Sequence, residues 1–207
     1  MKNTQSLLEL HLLTNCNAAN DNYLRFIKKC ILSGVTHVQL RQKNWSYQDL
    51  LHFGYELKNL LKPYNTKLII NDNLKLAIAL DADGIHLGQT DCNYRLARIE
   101  FGTHKIIGLS IESHAELLEA NKMSEVNYVA ASAVFASKSK NNLKKIWGIN
   151  GLNEFCKISK HPVIAIGGID ISNIKEVVAT GINGIAIISA IHNAYNPQQY
   201  IQQLLRL

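Results

Sequence analysis

The chain contains 207 residues, of which 47% are hydrophobic and 18% are charged, and its formal net charge is +6. This composition is typical of a globular protein with one large or two small domains, and it excludes disordered, collagen-like and low-complexity classes. Continuous apolar runs reach only about five residues, whereas a membrane helix needs about 20, so we expect a soluble protein that does not enter a membrane.

Short apolar runs alternate with amphipathic stretches along the whole chain. The runs are mostly continuous in apolar residues, which is typical of strands buried on both faces of a parallel sheet. Ser46 and Ser113 stand at expected helix starts, where a serine side chain caps backbone N–H groups. In chain order, the pattern predicts strands over residues 8–13, 37–41, 67–71, 84–87, 105–110, 127–134, 162–167 and 184–189, and helices over residues 22–32, 47–61, 73–80, 94–100, 114–122, 152–158, 171–180 and 197–205.

This alternation of strands and helices indicates βα units and a parallel sheet. Residues 32–41, 80–89, 123–132 and 180–189 repeat one layout, in which a helix end and a turn lead into a strand. A closed barrel and an open doubly wound sheet both fit the alternation, but no Gly-x-Gly-x-x-Gly follows the first strand. The sequence therefore favours an α/β fold of the (β/α)8 TIM-barrel type, as a single domain over residues 1–207. The chain is near the lower size limit of that fold, so its loops must be short.

Polar side chains or glycines follow nearly every predicted strand. In a barrel of this type the active site lies at the carboxyl ends of the strands, so these positions have a functional interpretation that they would lack elsewhere. In strand order they are Gln39, Arg41 and Lys43; Asn71 and Asp72; Asp91; Ser110; Ser137 to Lys140; Gly167 and Gly168; and Ile188 and Ser189.

The charges among these residues indicate an anionic ligand. Arg41, Lys43 and Lys140 would place three cations close together, an arrangement that a phosphate would stabilise. Asp72 and Asp91 are hard oxygen ligands suited to Mg²⁺, which commonly also binds phosphate oxygens of a substrate. Together they predict a metal-bound pyrophosphate. A network of salt bridges around the rim is the alternative, and it explains the charges but not the neighbouring glycines.

A second anion site is predicted where strands seven and eight end. Loops at this place in TIM barrels often bind phosphate through backbone N–H groups. Gly167 and Gly168 permit close approach of the backbone because they carry no Cβ. Within strand four, His86 is interpreted as a barrel-interior side chain or a pocket wall, and Tyr128 and Trp147 are interpreted as packing residues.

The segments VQLRQK, LIIND, GIHLGQTD, IIGLS, VFASKSK, VIAIGGI and GIAIISAI resemble, in this order, the strand-end motifs of the thiamine-phosphate synthase family. The resemblance extends from about Leu8 to Ile191, and the ordered set is far more specific than any single segment. It implies a Mg²⁺-dependent transferase that joins a pyrimidine pyrophosphate to a thiazole phosphate, giving thiamine phosphate and pyrophosphate. In the family the bond to pyrophosphate breaks first, and the thiazole nitrogen captures the resulting pyrimidine carbocation.

The resemblance also implies a role for each matching position. Arg41, Lys43, Ser110 and Lys140 would be the catalytic residues, and Asp72 would bind Mg²⁺ together with Asp91. The implied substrate-binding set is Gln39, Leu40, Arg41, Gln42, Lys43 and Asn71 around the pyrimidine pyrophosphate, Ser110 at the pyrimidine, Lys140 at the pyrophosphate, and Ser137, Lys138, Ser139, Gly168, Ile188 and Ser189 at the thiazole phosphate.

Two segments depart from the family pattern. Asn73 follows Asp72 where the family usually has an arginine, and the strand-six loop reads SAVFASKSK where the family usually has Gly-Pro and two threonines. Two alternatives to the synthase remain open. One is a thiazole tautomerase, a relative that needs no metal and typically carries a histidine at the position of Ala133, and the other is a non-catalytic barrel that binds a phosphate ligand. The presence of Asp72, Asp91 and Lys140 favours the synthase.

The cysteines and the scattered basic residues exclude further classes. Cys16, Cys30, Cys92 and Cys156 form no Cys-x-x-Cys pair, and His11 is interpreted as an isolated neighbour, so the pattern argues against a zinc site. Scattered thiols without a secretion signal fit a cytoplasmic enzyme. The basic residues match no DNA- or RNA-binding motif, so nucleic acid is not expected as a partner. The sequence leaves open whether the chain forms a homo-oligomer.

Overall fold

The computed structural model describes residues 8–16, 20–42, 44–137 and 145–206. Parallel strands form a closed barrel in which each strand pairs with its neighbours in chain order and the first strand pairs with the last. The predicted (β/α)8 fold is therefore confirmed. The strands are β1 (Glu9–Leu13), β2 (His37–Leu40), β3 (Lys67–Asn71), β4 (Gly84–Leu87), β5 (Ile106–Ile111), β6 (Tyr128–Ser132), β7 (Val163–Ile166) and β8 (Gly184–Ile187).

Helices follow the strands and pack around the barrel. Ser46 Oγ accepts a hydrogen bond from the backbone N–H of Asp49, and Ser113 Oγ accepts one from that of Glu116, so both predicted caps are confirmed. Along the described ranges, no helix combines the length and the apolar character that crossing a membrane requires. The helices are α1 (Asp21–Ile31), α2 (Tyr47–Leu61), α3 (Leu74–Ala79), α4 (Tyr94–Phe101), α5 (His114–Ala120), α6 (Gly148–Ile158), α7 (Ile174–Ala179), α8 (Ser189–His192) and α9 (Pro197–Leu205), with a 3-10 turn at Lys62–Tyr64.

Two predicted boundaries were wrong in ways that matter for the site. The eighth strand, predicted over residues 184–189, ends at Ile187, because Ser189 begins the short helix α8. The continuous apolar run across this junction conceals the change from strand to helix. Helix α6 begins at Gly148 rather than at residue 152, and the backbone N–H of Gly148 donates to the carbonyl of Val134 at the end of β6. The helix start is thereby tied to the mouth of the barrel.

The hydrophobic core lies on both sides of the sheet. Alternate residues of each strand point outward to the helices, where Phe53, Leu57 and Phe155 are fully buried. The other residues point into the barrel. The packed cluster inside the barrel consists of Leu13, Tyr128, Ala130, Ile164 and Ala186.

Gly108 on β5 makes room inside the barrel for the ring of Tyr128. A Cβ built on Gly108 would collide with the ring and the hydroxyl of Tyr128, which is itself buried. We therefore expect Gly108→Ala to lower the free energy of unfolding by about 1–3 kcal/mol, the usual cost of overpacking. Gly151→Ala in α6 is the control, since its Cβ would meet only ordinary contacts with Trp147. Urea denaturation compares the two, and equal stability of both variants would contradict the close approach.

Candidate functional site

A cavity of about 520 Å³ lies at the carboxyl ends of the strands. The fold thus brings together side chains that are far apart in the sequence, because parallel strands all end at the same rim. The predicted site residues that line this cavity are Gln39, Arg41, Asn71, Asp72, Asp91, Ser110, Ser137, Gly168, Ile188 and Ser189.

The remaining predicted residues do not line the cavity or lie outside the described ranges. Leu40 is buried in the outer core, so its side chain points away from the cavity. With its side-chain amide oriented so that its oxygen and nitrogen are both paired, Gln42 donates to the Cys16 carbonyl at 3.1 Å and accepts from the Cys16 N–H at 3.0 Å. Any ligand contact of these two residues stays a prediction. The same is true of four predicted residues outside the described ranges, namely Lys43, Lys138, Ser139 and Lys140.

The wall of the cavity has a polar side and a mostly apolar side. Strands β2 to β5 contribute polar side chains, whereas β7 and β8 contribute aliphatic ones, and β1 contributes both Leu13 and His11. The polar side carries Gln39, Asn71, His86 and Ser110, and the apolar side carries Leu13, Ile164, Ile166, Ala186 and Ile188. A ligand with one charged, hydrogen-bonding part and one apolar part would match this division.

Asp72 and Asp91 form an acidic pair on the polar side. Asp72 directly follows β3, and its backbone N–H donates to the carbonyl of His86 at 2.8 Å, while Asp91 Oδ2 accepts from the N–H of Gly88 at 2.7 Å. Desolvation in the concave mouth raises the pKa of Asp72 to about 7, and the hydrogen bond and the charge of Asp91 add to this rise. The two carboxyl groups are therefore close enough for a hydrogen bond between them. A divalent cation would relieve their repulsion and suits their oxygen ligands.

Arg41 lies beside this acidic pair. Its backbone N–H donates to Thr14 Oγ1 at 2.9 Å, which fixes the chain where it leaves β2. Burial lowers the pKa of the guanidinium and the charge of Asp72 opposes that shift, so Arg41 stays a cation close to Asp72. A cation next to two carboxylates can bind an anion that a metal ion also binds.

A hydrogen-bonded chain connects the barrel interior to the polar side. The Tyr128 hydroxyl and His86 Nδ1 are 2.9 Å apart, and His86 Nε2 and Ser110 Oγ are 2.8 Å apart. The side-chain amide of Gln89 donates to the Ser110 carbonyl at 2.6 Å. Both ring nitrogens of His86 are thus held, so that His86 orients the Ser110 hydroxyl towards the cavity.

The turn after β7 supplies exposed backbone on the apolar side. Gly167 and Gly168 have positive φ angles of 101° and 64°. A Cβ on Gly168 would lie 2.6 Å from the Cβ of Phe135, and the Asn173 side-chain amide donates to the Gly168 carbonyl at 2.9 Å. The turn therefore requires glycine both for its backbone conformation and for its packing.

Sequence reasoning underestimated the inward-facing residues within the strands. His86 was left between an interior side chain and a pocket wall, and it is both. Tyr128 was interpreted as a packing residue, but its hydroxyl also bonds to His86. The signal was available in the strand period of two, since His86 alternates with the outward-facing Ile85 and Leu87.

The closed (β/α)8 barrel places an acidic pair, a cation and a glycine turn at its mouth, as the sequence predicts for an enzyme that acts on phosphorylated ligands. The family model described as thiamine monophosphate synthase matches residues 10–191, and the chain belongs to this family. Accordingly it is a transferase with thiamine-phosphate synthase activity. This result favours the synthase over the tautomerase and the non-catalytic barrel.

Individual relatives agree with this membership. The chain is 41% identical over 201 residues to the thiamine-phosphate synthase of Chlamydia abortus, covering 97% of this chain and 94% of the relative. It is 40% identical over 198 residues to that of Vibrio campbellii, covering 96% and 97%. The solved structure of thiamine phosphate pyrophosphorylase from Pyrococcus furiosus matches with a TM-score of 0.84 and 32% identity, covering 95% of this chain and 93% of that one. A 3-hexulose-6-phosphate synthase from Salmonella typhimurium, with a TM-score of 0.74 and 14% identity over 96% and 97% of the chains, shares the fold alone.

Proposed function

We propose that the cavity binds the pyrimidine pyrophosphate on its polar side and the thiazole phosphate on its apolar side, and joins the two rings between them. The pairing of Asp72 and Asp91 beside Arg41 carries this proposal, because this arrangement suits a metal-bound pyrophosphate. The names of the relatives imply these two substrates.

Asp72 and Asp91 would hold the metal ion, which we propose to be Mg²⁺. Their donor set fits this ion, since Mg²⁺ prefers carboxylate oxygens and completes its shell with water and phosphate oxygens. Enzymes of this family depend on a metal ion in general. When bound, Mg²⁺ would neutralise negative charge that develops on the leaving pyrophosphate.

The side chains around the acidic pair bind and orient the pyrophosphate. Arg41 offers a bidentate fork to phosphate oxygens, and Lys43 and Lys140 would add point charges. Stabilisation of the leaving group favours breaking its bond to the pyrimidine methylene carbon first, which leaves a carbocation in conjugation with the pyrimidine ring. Ser110, oriented by His86, would hold that ring in place.

The apolar side would place the thiazole nitrogen for attack on this carbocation. Ile164, Ile166 and Ile188 form an apolar wall against which the thiazole ring would pack. The turn at Gly168 and the start of α8 at Ser189 would bind the thiazole phosphate through backbone N–H groups, with Ser137 and Ser139 adding hydroxyl donors. Exclusion of water by this wall would protect the carbocation from hydrolysis.

The activity is tested by supplying both substrates with Mg²⁺ and measuring thiamine phosphate and pyrophosphate separately. We expect the two products to form in equal amounts, omission of either substrate to abolish thiamine phosphate formation, and omission of Mg²⁺ to lower it by at least about tenfold. Formation of thiamine phosphate at an unchanged rate in EDTA would contradict the role of the metal.

The location of the enzyme and its assembly are also proposals. None of the four cysteines forms a disulfide, and all four lie within the described ranges. This supports a reducing compartment and, with it, the cytoplasm. Neither nucleic acid nor a membrane is proposed as a partner, and size-exclusion chromatography with light scattering would determine whether the enzyme is a homo-oligomer.

A further inference from the structure

Two histidines and one glutamate meet inside the barrel at the amino-terminal end of the strands, opposite the mouth. Glu9 and His11 are two residues apart on β1, so both point to the same face of the strand. His37 begins β2 and is the direct register partner of His11. One ligand atom from each of the three residues lies within 4.8 Å of the other two. His11 is 1% exposed and forms part of the cavity wall, whereas Asp72 and Asp91 lie at the opposite end of the strands.

The contacts within this cluster hold the two rings in a fixed arrangement. The imidazole rings of His11 and His37 are stacked, with centroids 4.0 Å apart and an angle of 11° between their planes. His11 Nε2 lies 3.3 Å from Glu9 Oε2. The edge of the Tyr128 ring packs against His11 at a centroid distance of 5.5 Å.

Thr36 holds the ring of His37 through a hydrogen bond to its Nδ1. Thr36 Oγ1 accepts a hydrogen bond from the Leu10 N–H and donates its own hydrogen to the Leu10 carbonyl. It is also 2.9 Å from His37 Nδ1. With Nδ1 held by Thr36, Nε2 is the ring nitrogen of His37 that would serve as the ligand. Histidines that bind metals are typically oriented in this way, by a hydrogen bond from the other ring nitrogen.

The charges around the cluster suit a cation. Glu9 brings a carboxyl group to the two imidazole rings, with its Oε2 3.3 Å from His11 Nε2. Lys67 is the register partner of His37 on β3, and its charge is balanced by Asp83, whose Oδ1 lies 3.3 Å from Lys67 Nζ.

We propose that Glu9, His11 and His37 bind a divalent transition-metal ion of the zinc type and so join β1 to β2 at the amino-terminal end of the barrel. Two imidazoles and one carboxylate are a common zinc ligand set, completed by water in the fourth position. In a tetrahedral site with bonds of about 2.0–2.1 Å the ligand atoms are about 3.3–3.4 Å apart. Glu9 and His11 already have this separation, the ligand atom of His37 lies within 4.8 Å of both, and a tilt of the His37 ring would bring it into the site.

This site is chemically distinct from the acidic pair at the mouth. Imidazole nitrogen is a poor ligand for Mg²⁺, whereas it is a preferred ligand for zinc and its neighbours in the first transition row. The residues at the two sites share no side chain. A metal at the amino-terminal end would therefore act on stability, as is usual for that face of a TIM barrel, and turnover at the mouth would continue without it.

The test measures zinc binding and thermal unfolding of the whole chain after treatment with a chelator. Excess Mg²⁺ is kept present throughout, and the Asp72→Asn, Asp91→Asn double variant serves as the background so that zinc cannot bind the acidic pair. We expect one equivalent of zinc in a calorimetric titration. When free zinc exceeds its Kd by about 100-fold, Tm should rise by about 5–10 °C.

Single substitutions identify the ligands. Glu9→Gln and His37→Gln should each weaken zinc binding by at least about tenfold and reduce the rise in Tm. His52→Gln is the matched control, because His52 and Glu56 form another histidine–glutamate pair, 3.9 Å apart on the surface of α2, and among the residues that the structure describes no third ligand stands beside them. This control should bind zinc like the parent protein.

Two results would overturn the proposal. One is a chain that shows no zinc-dependent rise in Tm, which would mean that His11 and Glu9 form only a hydrogen-bonded pair. The other is zinc binding that Glu9→Gln leaves unchanged. The Glu9 side chain is 47% exposed, so Glu9→Gln is expected to fold even where His37→Gln does not, and the comparison with His52→Gln can still be made.

Discussion

Replacing Asp72 or Asp91 by asparagine is expected to lower turnover by at least about tenfold, which corresponds to about 1.4 kcal/mol of activation free energy. Asparagine keeps the size and one oxygen of the side chain but removes the charge that would hold Mg²⁺. The repulsion between the two carboxyl groups disappears at the same time, so we expect Tm of the metal-free protein not to fall. Loss of activity without loss of stability would mark these residues as functional rather than structural.

The control for this prediction is Asp21→Asn, which removes a carboxylate in the first turn of α1. Turnover should be unchanged in this variant, and its response to Mg²⁺ should match that of the parent protein. Steady-state kinetics over a range of Mg²⁺ concentrations make the comparison. If Asp72→Asn retained full turnover with unchanged dependence on Mg²⁺, the metal would have to be held elsewhere.

The barrel could be predicted from the sequence because its signal is repeated in every unit. Each strand is a short apolar run, each helix has an apolar face, and a turn separates them. An error at one boundary therefore does not change the number of predicted strands and helices. The end of β8 was wrong because the run GIAII continues past the strand into the residue before α8. Apolar content alone does not distinguish a strand end from the first turn of a buried helix.

The mouth of the barrel was predictable for a related reason. Residues such as Asp72 and Arg41 directly follow their strands, and the fold brings all strand ends to one rim regardless of register. The direction of a side chain within a strand is harder to infer. Leu40 precedes Arg41 and was included with the binding residues, but it faces the outer core.

The cluster of Glu9, His11 and His37 could not be predicted from spacing in the sequence. His11 and His37 are neighbours only through the register of β1 and β2, and register depends on how the whole barrel closes. His11 was therefore interpreted as an isolated residue, and the structure corrects this. The argument against zinc rested on the cysteine spacing and does not apply to ligands brought together by pairing of strands.

In the proposed arrangement, each side of the cavity would bind one of two unlike substrates. Residues in and directly after β2 to β5 present charged and hydrogen-bonding groups. By contrast, β7 and β8 present aliphatic side chains, and the glycine turn after β7 presents its backbone. The bond between the substrates would form along the boundary, near Ser110 and Ala130. Each phosphate would then be held at a separate place on the rim, so that a substitution at one place should leave affinity for the other substrate unchanged.

Gly168→Ala tests this separation most directly. The added Cβ would lie 2.6 Å from the Cβ of Phe135, and the residue has a φ of +64°, so the turn after β7 must shift. We expect the KM for the thiazole phosphate to rise by at least about tenfold, or about 1.4 kcal/mol, while the KM for the pyrimidine pyrophosphate stays within about twofold of the parent value.

Gly181→Ala separates the effect on the site from the strain of the backbone. Gly181 has a φ of +89°, and its Cβ would meet nothing within 4 Å, at a turn that precedes β8 on the opposite face of the barrel. Both variants carry the cost of a positive φ in a residue with a side chain, about 1–2 kcal/mol of unfolding free energy. Only Gly168→Ala should also change the kinetics of the thiazole phosphate, because only its turn borders the cavity. If the KM for the thiazole phosphate were the same in both variants, the glycine turn would not be the thiazole phosphate site. The same would follow if Gly168→Ala raised the KM for both substrates.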